Sequence, residues 1–99
     1  MIKNLDVVLR DLEGKEIIDS EDTKRPVLAR TIIINALMAT YKDENPSGEE
    51  KVRRYKLAML LHGGSHELSA EDIVLIKTLV GKGWGPIIVG QIYDLLESN

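Results

Sequence analysis

Apolar and polar residues alternate with a period near two only at the start of the chain. Leu5, Val7 and Leu9 share one face of this segment, and Gly14 supplies a turn residue before a second apolar run. The pattern predicts a β-hairpin over residues 1–19. Because an isolated two-stranded hairpin is marginal in water, it is expected to pack on other elements.

The remaining pattern, over residues 26–97, is typical of helices. A polar segment at 19–24 predicts a loop, and Pro26 suits the first position of a helix. The run 26–41 is apolar on nearly all sides, which predicts a central helix or one that faces a partner chain. Its β-branched residues also suit a strand, but its length and its good helix formers favour a helix.

Capping residues mark the starts of two further helices. Ser47 with Glu50, and Ser69 with Asp72, have the spacing of a capping box. Between these two starts, one stripe of the helix is formed by Val52, Tyr55, Met59 and His62, and Ala58 and Leu61 lie beside it. Four cations that fall mainly on other faces form a candidate basic patch, Lys51, Arg53, Arg54 and Lys56. A solvated helix face is the preferred interpretation of these charges, and a nucleic-acid contact is the alternative.

The stretch LVGKGWGPIIVG, residues 79–90, predicts the bend between a third and a fourth helix. Two glycines end the third helix, Pro86 begins the fourth, and Trp84 lies at the tip of the antiparallel pair. Gly90 falls inside the last helix, where a glycine usually indicates close backbone packing. Neither the P-loop pattern nor the dinucleotide-binding pattern is present, so no phosphate-binding loop is predicted.

Residues with catalytic or metal-binding chemistry do not form a recognisable set. His62 and His66 are four residues apart, but two glycines interrupt the helix between them and no third ligand is near. The chain has no cysteine, which excludes disulfides, thiolate metal sites and cysteine nucleophiles. The sequence therefore predicts a protein that is not an enzyme, with no catalytic residues, no cofactor and no metal.

Net charge and hydropathy narrow the classes of partner. The formal net charge is −3, and the middle of the chain is basic between acidic ends. A mildly acidic chain is a poor candidate for nucleic-acid binding. No apolar run has the roughly 20 residues that span a bilayer, and the N-terminal segment lacks an export signal. A cytoplasmic location and no membrane contact are the expectations.

Binding to another protein is the remaining class of function. The segments 26–41 and 86–96 are rich in apolar residues. A chain of 99 residues with four aromatic side chains is not certain to cover both of them. An uncovered apolar stripe would be a surface for a dimer or for a different partner. The candidate interface residues are Trp84, Ile88, Ile92 and Tyr93. Tryptophan is enriched at binding hot spots, although a core position suits Trp84 equally well.

Three stretches, NALMA, SGEEKVRRYKLAMLLHGG and LSAEDIVLIKTLVGKGWGPIIVGQIYDLLE, resemble a group of small uncharacterised proteins encoded by bacteriophages and prophages. The resemblance runs from about Asp11 to Glu97. It implies an origin and no activity, and it brings no catalytic residues. Small phage proteins commonly act by binding, as virion assembly factors, regulators or inhibitors of a host protein. The implied location is the cytoplasm of a bacterial host.

Together these observations predict one domain, residues 1–99, of the α+β class and mostly α, with the N-terminal β-hairpin packed on a bundle of about four helices. The predicted function is that of a small non-enzymatic phage protein that binds a phage or host protein, or itself as a homodimer. The alternative is a nucleic-acid-binding or transcription-associated accessory protein that uses the basic helix 51–56. A small metal- or phosphate-dependent enzyme is the third and least favoured interpretation.

Overall fold

Helices account for just over half of the described backbone. The computed structural model describes residues 1–19 and 24–98. The helices of this part of the chain are α1 (Ala29–Met38), α2 (Gly48–His62), α3 (Ala70–Gly83) and α4 (Pro86–Glu97). The prediction of a mostly α fold with about four helices is confirmed.

The starts of α2, α3 and α4 follow from local capping chemistry, as predicted. The Ser47 hydroxyl accepts the N–H of Glu50 at 3.1 Å. Ser69 and Asp72 form a reciprocal box, in which each side chain accepts the other residue's backbone N–H at 3.0 Å. Pro86 begins α4. These contacts pair N–H groups that a helix start would otherwise leave unbonded.

Helix α1 begins three residues later than Pro26 and ends before residue 41. The backbone of Val27 is bonded to other segments, and Leu28 caps the helix in an extended conformation. Because these hydrogen bonds hold the preceding residues outside a helix, α1 begins at Ala29. Beyond Met38 the chain turns away, and the Tyr41 hydroxyl donates to the carbonyl of Ala36 at 2.8 Å.

The predicted β-hairpin over residues 1–19 is not confirmed. The described residues contain isolated antiparallel bridges in place of regular strands. The first residues pair with a distant segment, since Met1 and Leu68 exchange two backbone hydrogen bonds of 2.7 and 2.8 Å. A local turn does form at Gly14, whose φ of 85° is the left-handed conformation that the sequence indicated.

Backbone hydrogen bonds join three extended segments, which lie around Leu9, Ile17 and Val27. The N–H of Leu9 donates to the carbonyl of Val27, that of Val27 to Ile17, and that of Ile17 to Leu9, all within 2.9 Å. Each segment therefore pairs with both of the others. The predicted polar loop at 19–24 lies mostly outside the described residues.

One hydrophobic core joins the helices to these extended segments. Helix α1 packs against α2 and α3, and α4 packs against α3. Leu5 and Leu9, from the N-terminal segment, are among the most deeply buried side chains. The buried apolar residues are Leu5, Leu9, Ala29, Ile32, Ile33, Ala36, Leu37, Leu57, Ala58, Leu61, Leu68, Ile76, Leu79, Val80, Ile92 and Leu96.

Gly90 is exposed, and a Cβ at this position would meet no atom within 4 Å, so close packing does not explain this glycine. We expect Gly90→Ala to raise the free energy of unfolding by about 1 kcal/mol, because alanine is the better helix former. Urea denaturation measures the change. Gly81→Ala is the matched control, since its Cβ would lie 3.0 Å from the Tyr93 hydroxyl and should cancel the gain. An unchanged stability in Gly90→Ala would contradict the open environment of this residue.

Candidate protein-binding surface on helix α2

Helix α2 turns an unexpected side to the core. Its buried residues are Arg54, Leu57, Ala58 and Leu61. The predicted apolar stripe lies on the opposite side, in solvent. Exposed fractions on this side are 49% for Val52, 51% for Tyr55, 54% for Met59 and 63% for Leu60.

We call Val52, Tyr55, Lys56, Met59 and Leu60 the α2 surface. At about 100° per residue, these five positions span about 140° of the helix, centred opposite the buried side. Helix α2 therefore has two apolar sides, and the core uses only one of them. An apolar stripe normally faces the core. Here a second apolar stripe faces away from the core.

Arg54 occupies a buried position because acidic groups receive its guanidinium. Its Nη1 and Nη2 donate to the two carboxylate oxygens of Glu44, at 2.5 and 3.1 Å. Its Nε lies 3.4 Å from Glu50, and Lys82 from α3 reaches Glu44 at 3.2 Å. Hydrogen bonding from Arg54 lowers the pKa of Glu44 to about 2. This cluster ties the loop between α1 and α2 to the end of α3, and it corrects the assignment of Arg54 to a surface patch.

The other three cations of the predicted basic patch remain at the surface. Arg53 lies 3.7 Å from Glu50 and 3.9 Å from Asp72, at the outer limit for ion pairs. Lys51 and Lys56 are exposed and form no side-chain ion pair with any residue that the structure describes. Lys56 lies within the α2 surface and Lys51 flanks it, so these two charges remain unneutralised beside apolar side chains.

Shallow depressions continue the α2 surface on both sides. A cleft of about 340 Å³ separates it from the end of α1, and Met38, Lys51 and Tyr55 line this cleft. Tyr55 also borders the next depression, which extends over Met59 and Leu60. Met38 is itself half exposed. The accessible apolar area therefore runs from the end of α1 across two turns of α2.

Of the four residues predicted as an interface, one lies in the interior and three are half-buried. Ile92 has no exposed surface, which corrects its assignment to a contact surface. Trp84 and Ile88 are half-buried and pack against the core. Tyr93 is half-buried, and its hydroxyl donates to the carbonyl of Lys77 at 2.7 Å. The packing of α4 on α3 covers the stripe that the sequence left unpartnered.

Sequence reasoning did not select Met59, Leu60 or Met38 for a contact surface. A signal was present in α2, because apolar residues occur on both of its sides. Leu57, Ala58 and Leu61 alone can cover the core, which leaves Met59 and Leu60 in excess. A helix with more apolar positions than one face can bury is a candidate for an external contact.

His66 belongs to a polar cluster that connects distant segments. Its Nε2 lies 3.6 Å from Asp6, and both its ring nitrogens lie within 3.2 Å of the Arg30 guanidinium. Arg30 also donates to the carbonyls of Leu61 and Ser65. These contacts serve to join the N-terminal segment to α1 and the end of α2. His62 is exposed at the end of α2.

The described residues were also compared with the requirements of a metal site and of a membrane-spanning helix. Within residues 1–19 and 24–98, no three histidine or acidic side chains are grouped as ligands for a metal ion. No described helix has both the length and the apolar character needed to cross a membrane.

Comparison of the chain with protein-family models, curated proteins and solved structures finds no significant match. The fold and the chemistry of the α2 surface therefore carry the functional argument.

Proposed function

We propose that this chain is a non-enzymatic protein that binds another protein through the α2 surface. The observation that carries the proposal is the exposure of Val52, Tyr55, Met59 and Leu60 on consecutive turns of one helix. Single exposed apolar residues are ordinary, whereas a contiguous group with a charged border is typical of an interaction site. Aromatic residues and methionine are also enriched at protein interfaces.

The resemblance to phage-encoded proteins supports a setting for this activity. We place the binding in an infected bacterial cell, where the chain acts as a virion assembly factor or as a binder of a host or phage protein. The assignment of the α2 surface rests on burial and charge alone.

Met59→Glu should remove binding without unfolding the protein. A carboxylate in the middle of the α2 surface would be desolvated in the complex, and we expect at least a ten-fold loss of bound partner, which corresponds to about 1.4 kcal/mol. Because Met59 is half exposed, the free energy of unfolding should change by no more than about 0.5 kcal/mol. The measurement is quantitative capture from nuclease-treated bacterial lysate, with thermal unfolding in parallel.

Leu12→Glu provides the matched control, because Leu12 is 96% exposed and lies in the turn at residues 11–14, outside the α2 surface. The proteins of interest are those whose recovery falls in Met59→Glu and persists in Leu12→Glu. Equal capture by the wild-type chain and both variants would exclude the α2 surface as the binding site.

Nucleic-acid binding is the second candidate, and exposed Tyr55 among Lys51, Arg53 and Lys56 is the observation that favours it. An aromatic ring among cations can stack on a base while the cations contact phosphates. Three phosphate contacts would give a slope of roughly −2 to −3 in a plot of log affinity against log salt concentration. Under the protein-binding proposal, nuclease treatment leaves the captured material unchanged and no such slope appears.

A further inference from the structure

We infer that the α2 surface receives an acidic amphipathic helix of the partner protein. In this arrangement the apolar side of the partner helix covers Val52, Met59 and Leu60, and its carboxylates pair with Lys51 and Lys56. The inference rests on the proposed function and specifies the chemistry of the occupant.

Charge complementarity is the first argument. The chain as a whole carries a net charge of −3, yet two cations of the α2 surface and its flank, Lys51 and Lys56, have no ion-pair partner among the described residues. One exposed carboxylate, Glu49, borders them, so the local balance is positive. Charges farther apart than about 8 Å are largely screened at physiological salt, so these local cations outweigh the overall negative charge. Burying Lys56 against an apolar partner would cost free energy, whereas a carboxylate opposite it would form an ion pair.

The length of the surface is the second argument. Val52 and Leu60 are eight residues apart, which corresponds to about 12 Å along the helix axis. A partner helix of three or four turns would cover this length with side chains at positions i, i+3 or i+4, and i+7. At one end, the cleft beside Met38 and Tyr55 has room for a large apolar side chain of the partner.

A second copy of the chain fits this surface less well. The midpoint between Val52 and Met59 falls between residues 55 and 56. Two α2 helices related by a two-fold axis through that midpoint would bring both copies of Lys56 together. Like charges facing each other across an interface are unfavourable. Glu49, the exposed acid that borders the α2 surface, lies seven residues before Lys56, about 10 Å along the helix axis, and does not separate them in this arrangement. A partner with carboxylates removes the conflict.

Synthetic peptides test the inference on the full-length protein. The first is a capped 16-residue helical peptide with a leucine stripe flanked by glutamates. In the second, lysine replaces every glutamate, and in the third the same residues are reordered so that no stripe forms. Backbone amide NMR spectra of the 15N-labelled protein report the binding site and the affinity of each peptide.

We expect the acidic striped peptide to shift the amides of residues 51–60 in a saturable manner, and the lysine peptide to bind at least ten-fold more weakly. The Lys51→Gln/Lys56→Gln variant should bind the acidic peptide roughly three- to ten-fold more weakly, with an unchanged melting temperature. Arg10→Gln is the control, because it removes an exposed cation that is not part of the α2 surface.

Three results would overturn the inference. They are equal binding of the acidic and lysine peptides, shifts confined to other parts of the protein, and no saturable binding of the acidic peptide. A dimer mass in light scattering that Met59→Glu abolishes would also overturn it, in favour of a second copy. Each of these outcomes differs from failure of the proposed function, in which Met59→Glu leaves the capture of protein partners unchanged.

Discussion

Replacement of Arg30 by leucine should lower the free energy of unfolding by about 3 kcal/mol, because it leaves several partly buried groups unpaired. The Arg30 side chain is 12% exposed. It donates to the carbonyls of Leu61 and Ser65 at 2.7 and 2.8 Å, and to the carboxylate of Asp6 at 2.8 Å. A domain of about 100 residues loses roughly 4 to 8 °C of melting temperature per kcal/mol, so the expected decrease is about 15 °C.

Two controls separate the geometry of this residue from its charge. Arg30→Lys keeps the charge but lacks the forked set of donors, so it should recover only part of the loss. Arg10→Leu removes an arginine whose ion pair with Glu16 is about half exposed, and it should cost little. Thermal unfolding followed by circular dichroism provides the comparison. Equal stabilities of Arg30→Leu and Arg10→Leu would show that Arg30 does not join the N-terminal segment, α1 and the end of α2.

Acid should unfold the wild-type protein partly through Glu44, and Glu44→Gln should remove that contribution. The pKa of Glu44 falls from its ordinary value of 4.5 to about 2 in the folded protein, because Arg54 donates to the carboxylate. A lowered folded-state pKa adds stability that is fully present above about pH 4.5. This stability is lost as the pH falls from 4.5 to 2, where the folded protein also takes up the proton.

The size of the effect is about 2 kcal/mol at neutral pH, after allowance for screening by water at a side chain that is 17% exposed. Urea denaturation at a series of pH values measures it as the difference between the wild-type chain and Glu44→Gln. The difference should be constant above pH 5 and should nearly vanish at pH 2. Arg30 also lowers the pKa of Asp6, but both proteins share that contribution, so it cancels. A difference independent of pH would contradict the role of Glu44.

Local sequence chemistry was sufficient where a structure depends on a few neighbouring residues. The hydroxyls of Ser47 and Ser69 and the ring of Pro86 mark the starts of three helices, and each acts within one turn of its own position. Gly14 was likewise identified as a turn residue. In contrast, Pro26 did not start a helix, because tertiary hydrogen bonds hold Val27 in an extended conformation.

The position of the α2 surface could not be predicted from local sequence patterns. Helix α2 has an apolar stripe on each side, and periodicity alone does not tell which of them the core uses. The side of α2 that carries Arg54 can be buried because of Glu44, ten residues earlier in the chain. Glu44 accepts two hydrogen bonds from the Arg54 guanidinium and offsets the free-energy cost of burying its charge. The assignment of Ile92 to a contact surface was wrong for a similar reason, since the position of α3 decides whether Ile92 is covered.

The sequence by itself determined the mostly helical class, the boundaries of the capped helices and the absence of cysteine chemistry, because propensity, capping and composition are local properties. Only the tertiary structure decided that residues 1–3 pair with 66–68, that three extended segments close on one another, and that the α2 surface faces solvent. These features depend on contacts between residues distant in the chain. Their free energies are sums over the whole packing arrangement, which no single stretch of sequence specifies.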